Sequence, residues 1–170
     1  MPTRMDSMIA KGSGVAKAVE ARLRGLVGVF KTLAEQHGEV SALLKRVKSD
    51  PEKRAELWPK IREELMSHEK GELREVYSVL REHAATRALA DRHEAEAGEL
   101  SMMIHRIHET AISSPDWLRF FDQLVELVEH HVKEEEHDIF PRAQETIGAD
   151  RAREIEPLFL AAKKQIAATV

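Results

Sequence analysis

His68 to Ser78 reads HEKGELREVYS, and His131 to Pro141 reads HVKEEEHDIFP. The two stretches match in a histidine, a lysine, a glutamate, an aliphatic residue and an aromatic at equal offsets. Each helical residue turns by about 100°, so His68 and Glu72, like His131 and Glu135, sit one turn apart on one face. Their phase is the deciding feature. His68 and Glu72 fall in the stripe of Ile61, Leu65, Val76 and Val79, while His131 and Glu135 fall in that of Leu124, Leu127, Val128 and Ile139. Each copy follows a segment with one more histidine in an apolar stripe: His37 among Phe30, Leu33, Val40 and Leu44, and His93 among Leu89, Ala97, Leu100 and Ile104. Four helices each sending one histidine inward, related as two similar pairs, would gather these residues about a pseudo-two-fold axis.

The helices follow from the periodicity around these stretches. One long helix is expected over 15–48, with Val19, Leu23, Leu26 and Phe30 continuing into Leu33, Val40, Leu44 and Val47 as its inner face. Ser49-Asp50-Pro51 ends it, and a second helix runs to about residue 83, with Pro59 near its start. A third spans about 87–111. Ser113-Ser114-Pro115-Asp116 carries a turn and an N-cap signal for a fourth helix to about 147, which Gly148 closes. A last helix, over about 149–168, has Ile155, Leu158, Phe159 and Ile166 to lay on the rest. Short connections make neighbouring helices antiparallel. The expected architecture is therefore all-α: a flexible lead-in over 1–14, an up-down four-helix bundle over 15–148 and an accessory helix over 149–170.

Composition agrees and narrows the chemistry. The 170 residues suffice for one domain burying roughly 70% of its unfolded surface. Charged residues make up 33% and aromatics 5%, the balance of long solvated helices. There is no cysteine, which excludes disulfides, iron–sulfur clusters and thiolate ligands; any metal must be held by imidazole and carboxylate. A net charge of −4, with bases and acids interleaved and no DNA-binding motif, argues against nucleic acid as a partner. No run approaches the roughly 18 apolar residues of a membrane span, and the N-terminus lacks the apolar core of a secretory signal, so a cytoplasmic location is expected. Val15 to Phe30 is basic and amphipathic, but Glu20 and the continuing apolar phase favour an ordinary helix over a membrane-surface one.

Two inward carboxylates in an apolar interior ask for compensating cations. If each glutamate bridges two metals, each metal receives two imidazoles and two carboxylate oxygens. That leaves room for a bridging oxo or hydroxo group and a small ligand. Nitrogen and oxygen donors with open positions suit iron, then manganese, and zinc less well.

The ordered set resembles the hemerythrin-like HHE cation-binding domain over about residues 30–145. It consists of His37, then His68-x-x-x-Glu72 with Val76 and Tyr77, then His93, then His131-x-x-x-Glu135 with Ile139-Phe140-Pro141. The resemblance implies a four-helix bundle with a carboxylate-bridged di-iron site, two irons per chain, and places His37, His68, Glu72, His93, His131 and Glu135 at the ligand positions. Oxygen carriers of the family have a second histidine one turn after the third-helix ligand, here Ala97, and an aspartate five residues after the fourth-helix histidine, where this chain has Glu135 at four. Simple oxygen carriage is therefore not expected. The pattern is closer to members linked to nitric oxide, repair of iron centres and peroxide removal. The expected function is binding of, or reaction with, dioxygen, peroxide or nitric oxide. The alternatives are a catalase-like enzyme and an iron or oxygen sensor or repair protein.

Other residues have plainer readings. His130 and Glu134, extended by His137, form a competing register beside Gln123 and Lys133, read as solvent-facing. His105 and His108 read as surface residues, and Trp58 and Trp117 as packing near helix starts. Glu96, one turn from His93, is a candidate to stand in for the missing histidine. Tyr77 reads as core with a hydroxyl able to donate near the metals, and Ala97 and Gly98 as space for a small ligand or water.

Overall fold

The computed structural model describes residues 1–170 and contains helices and turns but no strand. Its elements are α1 (Arg4–Leu23), α2 (Val29–Ser49), a 3₁₀ turn (Pro51–Lys53), α3 (Arg54–Glu72), a π turn (Leu73–Tyr77), α4 (Ser78–Glu82), α5 (Arg87–Glu109), α6 (Pro115–Glu134), a second π turn (Glu135–Ile139), α7 (Phe140–Ile147) and α8 (Ala149–Ala167). Four rods form the bundle: α2, α3 continued through its π turn into α4, α5, and α6 continued into α7. They close a ring, α2 against α3, α3 against α5, α5 against α6 and α6 against α2. Outside it, α1 packs on α2, and α8 lies across α3 and α2.

The ends carry their chemistry locally. Ser114 caps α6 by accepting from the Asp116 backbone N–H, with Pro115 at the first helical position, where a missing N–H costs nothing. α3 runs on through Pro59.

The single helix expected over 15–48 is instead two helices folded back on each other. Gly25 and Gly28 take φ of 83° and 55°, a conformation that side chains disfavour, and Gly28 presses on the backbone of Ala152 where a Cβ would collide. α1 starts at Arg4, within the stretch read as a lead-in, and Thr3 and Asp6 form a reciprocal capping box there. It meets α2 through Ala10, Gly14 and Ala21, so Val19 and Leu23, expected inward, are 54% and 84% exposed. Leu158 also points outward, leaving Ile155 and Phe159 as the buried face of α8.

The core is divided. Trp58, Trp117 and Phe121 with Leu65, Leu100 and Val128 form one apolar cluster, and Phe30, Leu33, Val76, Phe140 and Phe159 belong to another. Between the two lies a buried layer of histidines and glutamates.

Candidate metal centre

His37 on α2, His68, Glu69 and Glu72 on α3, His93 on α5, and His131 with Glu135 on the α6 rod are all at most 9% exposed. Two donor sets emerge, each with its ligand atoms within 4.8 Å of one another: His37, His68, Glu72 and Glu135, and Glu69, Glu72, His93 and His131. Glu72 belongs to both. His37 Nε2 lies 3.1 Å and His131 Nε2 3.4 Å from Glu135 Oε2, and His68 Nε2 lies 3.3 Å from Glu72 Oε2. The six residues expected from the sequence are therefore brought together.

Glu69 is the residue that sequence reasoning missed. Its Oε1 stands 2.8 Å from His93 Nε2 and its Oε2 3.2 Å from His131 Nε2. Glu96, considered for this place, instead lies 3.9 Å from His131 Nδ1 and is partly exposed.

The two repeats are structural as well as textual. A π turn follows Glu72 on one rod and begins at Glu135 on the other, and in so wide a turn residues five apart come close. Tyr77 and Phe140, each five residues after its glutamate, both lie flat on a histidine of another helix. The Tyr77 ring stacks 3.6 Å from that of His93, and Phe140 lies 5.8 Å from His37. Two differences break the symmetry. Tyr77 donates its hydroxyl to Glu135 Oε1 at 2.5 Å, a bond Phe140 cannot make to Glu72, and the position of Glu69 is Val132 in the second copy.

The fit to a metal can be judged from unmet bonding capacity. Nine of the twelve buried side-chain polar atoms that lack a hydrogen-bond partner belong to this layer, among them Nε2 of all four histidines and both Glu72 oxygens. Native interiors hold few such atoms, and their convergence is what ligation would satisfy. Electrostatics agree. Burial, then Glu135 and Glu69, push the Glu72 carboxyl well above its usual range. Burial also works against charge on Glu135 and Glu69, yet His131, His37 and His93 hold Glu135 well below it, and His131 and His93 hold Glu69 at about 2. Burial, then His37 and Lys163, lower His68 well below the usual histidine value, keeping it neutral and able to ligate. Against burial, Glu135, Glu69 and Glu96 raise His131. Without metal, Glu72 keeps a proton between two ionised carboxylates that His37 and His131 compensate by taking up protons, and bound cations would take the place of those protons.

The hemerythrin HHE cation-binding domain family matches residues 22–143. The chain belongs to this family. No curated relative and no solved structure matches it. The hemerythrin-family match spans the whole histidine–glutamate layer, Glu69 included, and leaves out α8 and nearly all of α1. In this hemerythrin-family chain a cavity of about 20 Å³ opens on His37, His68, Glu69 and His131 between Val40, Leu65, Leu100 and Val128. A second, of about 190 Å³, lies beyond Glu69 along Ala97 and Gly98, in the space those small residues leave. The competing His130–Glu134 pair and the His105–Glu109 pair place their histidines 69% and 72% exposed on the surface.

Proposed function

We propose that the chain is a non-haem di-iron protein that binds or reacts with a small oxidant: dioxygen, hydrogen peroxide or nitric oxide. His37 and His68 would serve one iron and His93, His131 and Glu69 the other, with Glu72 and Glu135 between them. The observation that carries this reading is the pair of buried donor sets sharing Glu72. Iron supplies the redox chemistry when bound; the chain supplies a dry, shaped site for it. The inner cavity, about 20 Å³, is little more than a water molecule's need, so it excludes all but the smallest ligands. Burial, then Glu135 and Glu72, push the Tyr77 hydroxyl well above its usual range, so it stays protonated and keeps donating to Glu135. No helix is long and apolar enough to cross a membrane, and a cytoplasmic site of action is part of the proposal.

A second reading is favoured by Glu69. A third carboxylate makes the donor set more anionic and suits higher metal oxidation states, as an enzyme converting two peroxides to two waters and one dioxygen would use. Manganese would serve there as well as iron.

Metal analysis and visible absorption before and after peroxide test the proposal. About two irons per chain with charge-transfer absorption support it, and no metal after anaerobic iron loading overturns it. Oxygen evolved catalytically from peroxide would select the second reading.

A further inference from the structure

The imidazoles of His37 and His68 are steered from outside the bundle. Lys163 on α8 donates to Gln36 Oε1 at 2.7 Å and to Glu64 Oε2 at 2.6 Å, and the same Gln36 oxygen lies 2.9 Å from His68 Nδ1. An ammonium group only donates, so it turns the Gln36 amide oxygen toward itself. That oxygen can then only accept from His68, which places the ring proton on Nδ1 and leaves the Nε2 lone pair facing Glu72.

His37 is handled in the same way from the other end of the chain. Lys17 on α1 donates to Glu136 Oε2 at 2.8 Å, and Glu136 Oε1 lies 3.0 Å from His37 Nδ1. A carboxylate paired with an ammonium at 2.8 Å has no proton to give, so its other oxygen only accepts. His37 therefore also carries its proton on Nδ1 and turns Nε2 inward. Arg24 fixes the same corner by donating to the Glu136 carbonyl at 2.6 Å.

The other two histidines lack chains this tight. His93 meets Glu69 and Glu135 with its two nitrogens, and behind His131 Nδ1 the chain is looser, with Glu96 3.9 Å away and itself 3.6 Å from Arg92. Both lysines lie outside the residues the family match covers.

We propose that Lys17 and Lys163 are positioning residues that pre-set the His37/His68 half of the centre, so that this half takes metal first and more tightly than the His93/His131 half. The two helices outside the bundle are thereby working parts of the site. This rests on the two-metal reading above.

The test is an anaerobic titration of the full chain with Fe(II), and with Co(II) as a coloured probe, alongside nitrogen-15 NMR of the imidazoles in metal-free protein. Wild type should bind in two steps with His37 and His68 protonated on Nδ1. Lys163→Met and Lys17→Met should each weaken the tighter step by about tenfold or more, spare the weaker one and mix the tautomer of the histidine served. Lys17→Arg should restore both readouts. Unchanged binding and tautomers in the methionine variants would overturn the proposal, as would equal weakening of both steps together with a lowered melting temperature. A wild-type chain that takes up neither ion sinks the two-metal reading itself. The order of filling falls with it, and the positioning role of the lysines is then judged on the tautomers alone: a shift keeps that role and none sinks it.

Discussion

Glu69 on α3 reaches across to His93 on α5, its Oε1 2.8 Å from the histidine Nε2. The neighbouring Ala97 is the position at which oxygen carriers of the family have a further histidine. Glu69 thus offers a charged oxygen beside the place where a neutral nitrogen is missing, and Ala97 and Glu69 line the same cavity. Glu69→Ala should weaken metal binding at the His93/His131 half by more than about tenfold, a figure typical of outer-shell losses alone, and leave the other half loaded. Metal per chain, read across a titration, would show one step lost; two intact steps would remove Glu69 from the site.

Tyr77→Phe keeps the ring on His93 but takes the hydroxyl from Glu135 Oε1. A buried, charge-assisted hydrogen bond contributes about 2 kcal/mol, so the metal-free protein should lose roughly that in denaturant unfolding. Phe140→Leu is the companion change: it removes the matching ring from His37 but no polar bond. Its cost should come from lost packing alone.

Asp6 ties α1 to the bundle through Lys53 and Arg46 while capping its own helix with Thr3. Those partners, Lys53 foremost, hold its carboxyl well below the usual range despite burial. A depressed carboxyl stabilises the fold above its unfolded pKa, near 3.9, and that contribution is lost as pH falls below it. Asp6→Asn should therefore cost about 1 to 2 kcal/mol near neutral pH, with the gap to wild type closing as the pH drops below about 4. Chemical denaturation across pH would show it; a gap constant down to pH 3 would contradict the assignment.

Two glycines predict opposite outcomes. A Cβ on Gly38 would stand 2.6 Å from the Ser13 carbonyl oxygen on α1, so Gly38→Ala should push the helices apart and cost about 1–3 kcal/mol. Gly98 has nothing within 4 Å of such a Cβ and lies inside α5, so Gly98→Ala should stabilise by up to about 1 kcal/mol through helix propensity. Thermal melts of the two variants provide the check.

What the sequence determined by itself is the bundle and six residues of its polar layer. Helical phase is a local property: once the period of 3.6 is read, the faces of His37, His68, Glu72, His93, His131 and Glu135 follow without knowledge of their neighbours. Only the tertiary structure decided the rest. Glu69 follows His68 directly and so sits about 100° off the inner stripe, on a flank that counts as interior only because α5 packs there. The fold-back at Gly25 and Gly28 was hidden because Val19 and Leu23 keep the apolar period on a face that ends in solvent. Periodicity reports that a face is apolar, not what covers it. Lys17 and Lys163 stand 119 and 127 residues from the groups they hold, Glu136 and Gln36, and a lysine on a solvated helix carries no local mark of such a task. Their role exists only where the packing of α1 and α8 brings each ammonium to an acceptor.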